Sequence, residues 1–88
     1  MSKALLELIR CPLTREKLHE ADASLVERVN EMIGSRKLTN RGGVTVEQSL
    51  DSGLMNESNQ WLIPVRKGIV SMLVDEFISI ERIKNLND

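Results

Sequence analysis

Cys11 and His19 are the only thiol and the only imidazole in the 88 residues, so nucleophilic or metal chemistry has to be built around them. A cysteine attacks as its thiolate and needs a neighbouring base or cation to lower its pKa. Nothing in the pattern brings His19 back to Cys11, so Cys11 reads as a buried thiol and His19, between Lys17 and Glu20, as an exposed surface histidine. A structural zinc site needs four converging Cys or His donors, which one of each does not supply. Asp75-Glu76 is a carboxylate pair, but adjacent residues on a helix do not face one another, and a role at a helix N-terminus explains them better. Gly42-Gly43 lacks the spacing and trailing lysine of a phosphate loop. No catalytic, cofactor-binding or metal-ligating set is assigned, and the expectation is a protein that is not an enzyme and carries no cofactor.

Twelve basic residues stand against thirteen acidic ones, for a formal net charge of −1. Generic binding to a phosphate backbone needs a cationic field that this balance does not provide. Arg36-Lys37 with Arg41, and Arg66-Lys67, are the densest basic clusters, and neither is interleaved with stacking aromatics. They read as solvated loop and turn, so direct nucleic-acid binding is not expected. One cysteine excludes an internal disulfide and fits a reducing compartment. No apolar stretch approaches the roughly 20 residues of a membrane span, and no secretory pattern precedes Cys11, so the expected location is cytoplasmic, away from membranes.

The chain has the length of one domain, and with one Trp, one Phe and no Tyr its core must be aliphatic. Residues 2–10 place Leu5, Leu6, Leu8 and Ile9 at the spacing of a short helix or turn that Cys11-Pro12 ends. Lys17 to Glu20 suits a short strand with Leu18 inward. Ser24 to Ile33 is the clearest element, an amphipathic helix with Leu25, Val26, Val29, Met32 and Ile33 on one face. Ser24 with Glu27 predicts a capping box, and Gly34 a left-handed stop. Asn40 to Gly43 signals a turn before a β-branched strand at Val44 to Val46, and Asp51 to Gly53 a second turn. Leu54-Met55 and Trp61 to Val65 predict a hairpin around Asn56 to Asn59. Pro64 lacks an N–H, which puts that strand at an edge or ends it there. Lys67-Gly68 turns the chain into Ile69 to Val74. Phe77, Ile80 and Ile83 suit a C-terminal helix following Asp75-Glu76, although Ile78 and Ile80 also suit a strand. Trp61, Met55 and Met72 read as core.

Two stretches together carry a family resemblance. Leu5-Leu6-Glu7-Leu8-Ile9-Arg10-Cys11-Pro12 and Trp61-Leu62-Ile63-Pro64-Val65-Arg66-Lys67-Gly68-Ile69, continuing through Val70-Ser71-Met72-Leu73, resemble the two halves of the Trm-one-twelve-like family. That family comprises small zinc-ribbon activator subunits of S-adenosylmethionine-dependent methyltransferases and short bacterial relatives. The resemblance covers a little under half of the chain. It implies an α+β fold: a small zinc-ribbon-like antiparallel sheet with halves at about 1–20 and 50–76, a helical insertion at about 22–36, and a C-terminal helix. The family's four ligand positions fall on Cys11, Thr14, Asn56 and Asn59, so three of the four have lost their thiolate. Val70 also stands where the family usually has proline, and the chain runs on beyond Asp75.

A metal-free member is implied. A structural zinc contributes roughly 10–16 kcal/mol in small finger peptides, which the inserted helix and aliphatic tail would have to replace. The resemblance further implies a non-catalytic subunit that docks a methyltransferase of tRNA, rRNA or a release factor through an exposed strand, the partner itself binding S-adenosylmethionine. The matching surface is Ile69, Val70, Met72 and Leu73, with Leu5 and Leu8 adjoining. Other readings are a homodimer pairing the same edge, a nucleic-acid-binding ribbon remnant, and a small enzyme or metal protein.

Overall fold

Alternation of apolar side chains across two strands decides the architecture. In the computed structural model, which describes residues 9–85, β2 (Ser52–Asn56) and β3 (Trp61–Arg66) form an antiparallel hairpin with Leu54 opposite Ile63 and Met55 opposite Leu62. Successive side chains of a strand point to opposite faces. Leu54, Ile63 and Val65 accordingly join Cys11, Leu18 and Phe77 in one apolar cluster, while Met55 and Leu62 join a second. Both faces of the hairpin are covered. Its residues are therefore buried almost continuously, in place of the half-buried alternation of a one-sided sheet.

Three short strands complete the sheet. β1 (Leu18–Glu20) pairs with β2, while β4 (Ile69–Val70) and β5 (Ile78–Ser79) both pair with β3, all antiparallel. β3 is thus central, contrary to the edge position expected from Pro64. β5 pairs with Trp61 and Leu62 and β4 with Val65 and Arg66, so Pro64 falls where one partner has ended and the other has not begun. Its carbonyl accepts from Ser71 N at 3.0 Å. The N–H and C=O of a strand residue point the same way, so the missing donor faces Ser71, just past the end of β4, and costs only the second bond of that terminal pair.

Helix α1 (Ala23–Gly34) lays Val26, Val29 and Ile33 on the second cluster, with Leu25 and Met32 flanking. Its ends differ from expectation. Asp22 is the N-cap and makes no side-chain capping bond, so the Ser24–Glu27 box does not form. Ala21 N donates to Gly53 O, which prolongs the β1–β2 ladder and forces the turn into helix at Asp22. At the other end Gly34 stays helical. Arg36 takes the left-handed conformation at φ 56°, with Arg36 N bonded to Ile33 O and Lys37 N to Met32 O. That pair of bonds closes the last turn. It delivers Leu38, fully buried, to the same cluster as Ile33.

The expected strand at Val44 to Val46 reduces to one bridge, Thr39 to Thr45, in a small ribbon outside the sheet. Asp51 to Gly53 is no turn either, since Ser52 and Gly53 already lie in β2. Gly53 is buried because Leu62 lies across it: a Cβ there would sit 2.6 Å from Leu62 Cδ1. Lys67 and Gly68 both have positive φ, at 53° and 75°, as a two-residue hairpin loop requires. Beyond β4 the chain makes a single 3-10 turn (Val74–Glu76), then β5, then helix α2 (Ile80–Asn85). Both readings of the tail hold in part: Ile78 is strand and Ile80 opens the helix. Asp75 and Glu76 sit in the 3-10 turn rather than at the N-terminus of α2.

Candidate functional site

Two places bring polar or exposed groups together. The first joins the loop at 11–16 to the tip of the β2–β3 hairpin. The register sets Asn56 opposite Leu18, on the face of β2 that also carries Leu54, and its side chain is fully buried. A buried amide must fill two donor and two acceptor sites. Asn56 Oδ1 accepts from Gln60 N and Trp61 N, each at 2.9 Å, while Nδ2 donates to Glu16 Oε1 at 2.7 Å and more weakly to Thr14 Oγ1 at 3.5 Å. The Ser58 hydroxyl also donates to the Glu16 carboxylate. Hydrogen bonds to the charged form favour it. The Ser58 hydroxyl, then the Asn56 and Thr14 side chains and the Ser58 N–H, hold the Glu16 carboxyl below its ordinary range, against an opposing effect of desolvation.

Of the four positions named by the resemblance, Thr14 and Asn56 meet here. The other two do not join them. Cys11 is fully buried among Leu18, Leu54, Ile63, Val65 and Phe77, closed to the solvent access a reactive thiol needs. Asn59 turns outward at φ 57°, where its Oδ1 lies 2.8 Å from His19 Nε2. The residues do not fit a zinc ion, because Asn56 has spent both ends of its amide on protein partners and Cys11 faces hydrocarbon. Among the described residues no group of three or more His, Cys, Asp and Glu side chains is placed to hold a metal. Glu16 and Ser58, which complete the hydrogen-bond node, carry no sequence signal; only the register that sets Leu18 against Asn56 reveals them.

The second place is the outer edge of the sheet. Ile69, Val70, Met72 and Leu73 all line a groove of about 870 Å3 that Pro64, Arg66 and Glu76 also border. Ile69 is 72% exposed, Leu73 67% and Met72 36%. Met72 is therefore surface, unlike Met55, and Trp61 is only half-buried. The exposed strand expected through Ile69, Val70, Met72 and Leu73 is two residues long, because after the Ser71 N–H bond to Pro64 the chain leaves β3 for the 3-10 turn. Ser71 follows Ile69 in facing β3, since its N–H bonds to Pro64, so alternation aims the backbone polar groups of Val70 outward. Three of the charged side chains bordering the groove, Arg66, Asp51 and Glu76, are engaged within the chain, with Lys67 taking part through its backbone. Arg66 Nη2 donates to Gln48 O at 3.0 Å and Nε to Ser49 O at 3.3 Å, the Lys67 N–H donates to the Asp51 carboxylate, and the Ser71 hydroxyl to that of Glu76. Leu5 and Leu8 lie outside the described residues.

The other basic cluster is partly spent as well, since Arg41 pairs with Asp75 at 3.3 Å. No helix among the described residues is long and apolar enough to cross a membrane.

The arrangement defines a small α+β domain with an antiparallel sheet and an apolar groove at one edge. No protein-family model and no curated protein matches the chain. It is similar to the solution NMR structure of XF2673 from Xylella fastidiosa, with a TM-score of 0.75 and 27% sequence identity over 97% of this chain and 88% of that one.

Proposed function

We propose that the chain is a non-catalytic interaction module that docks a protein partner at the β4 edge. One observation carries the reading. Of the four large hydrophobic side chains exposed among the described residues, three (Ile69, Met72 and Leu73) fall within one five-residue run beside one groove. Exposed apolar patches that are contiguous mark interaction sites more often than scattered ones do. An edge strand adds backbone hydrogen bonding, and alternate apolar side chains add selectivity.

The resemblance of the two chain ends supports a methyltransferase as that partner, stabilised by having an apolar patch covered and binding S-adenosylmethionine itself. It also supports reading the 11–16 and 56–59 loops as a zinc-ribbon frame in which a hydrogen-bond node stands in the metal's place; the meeting of Thr14 with Asn56 favours this. A lone buried thiol suits a reducing, cytoplasmic setting.

The test is affinity capture from native cytoplasm with mass spectrometry, using wild type and Met72→Asp. Met72 is exposed, so the variant is expected to fold with stability within about 0.5 kcal/mol of wild type. A methyltransferase retained by wild type and lost by the variant supports the reading. The absence of any specific partner in both samples overturns it, and a complex of the chain with itself replaces it by a homodimer built on the same edge. Zinc bound stoichiometrically to the purified protein would contradict the hydrogen-bonded frame.

A further inference from the structure

We draw no further inference here: the strongest candidate, the concavity of about 340 Å3 that Trp61 forms with Gln60, Ser79, Glu81 and Lys84 between the start of β3 and α2, mixes an indole face with an amide, a hydroxyl, a carboxylate and an ammonium that select no one class of ligand, and nothing in the structure shows what covers it.

Discussion

Replacing Asn56 by leucine tests whether the buried amide clamps the two loops. The substitution keeps roughly the same bulk beside Leu18 and Leu54 but removes every hydrogen bond the side chain makes. Glu16 can return to water, since it is only half-buried. The N–H groups of Gln60 and Trp61 cannot do so as easily, because both point at the fully buried position 56. A buried donor left without a partner costs about 1–3 kcal/mol, so the two together cost about 2–4 kcal/mol after modest relaxation. A domain of this length has a total stability of roughly 4–13 kcal/mol. The loss corresponds to a Tm lower by roughly 10–30 °C, at about 4–8 °C per kcal/mol for a chain of this size.

Urea unfolding followed by the fluorescence of Trp61 suits the measurement. Trp61 is the single tryptophan, and its own N–H is one of the two donors left stranded. Asn56→Asp is the companion variant. It keeps both acceptor contacts while setting a carboxylate against Glu16, so it is expected to be destabilised at neutral pH and to recover on mild acidification, when the pair can share a proton. An Asn56→Leu protein within about 1 kcal/mol of wild type would refute the clamp.

Glu16 gives a pH prediction for the unmodified protein. Its carboxyl is held lower in the folded state than in the unfolded chain, chiefly by the Ser58 hydroxyl. The stabilisation is therefore present above the unfolded value of about 4.3 and disappears as the pH falls through the lowered folded value. Urea midpoints should fall more steeply below about pH 4.3 for wild type than for Glu16→Gln, and parallel curves would show that the carboxylate adds nothing. Arg36→Gly should stabilise the protein by about 1 kcal/mol, because a non-glycine side chain pays roughly that for the left-handed conformation; an unchanged denaturation midpoint would count against the described end of α1. Gly53→Ala should destabilise by about 1–3 kcal/mol, since the new methyl group meets the buried Leu62; thermal melts alongside Ser52→Ala, an exposed neighbour, separate this clash from a general weakening of β2.

Local pattern alone placed several elements. The 3.6-residue spacing from Leu25 to Ile33 determined α1 and its buried face, the polar run Asn56 to Asn59 between apolar stretches determined the central hairpin, and Lys67-Gly68 determined the turn into β4. Each of these is a property of a few adjacent residues, which is why no knowledge of the remainder of the chain was needed. The run at Ile69 to Leu73 stands out in the sequence only through a resemblance of motifs, and its exposure beside a groove is a property of the finished surface.

Tertiary structure decided what depends on partners distant in the chain. Pro64 sits in a central strand because β4 and β5 divide the far side of β3 between them, an arrangement that no single-residue propensity encodes. The capping box at Ser24 lost to a ladder bond from Ala21 to Gly53. Asn56, a polar residue in a turn-like tetrad, became the most completely bonded side chain of the buried node, because pairing with β1 carried it under Thr14 and Glu16 some forty positions away. A sequence states which groups need partners; only the fold, by closing long loops around a shared apolar interior, determines which partners they find.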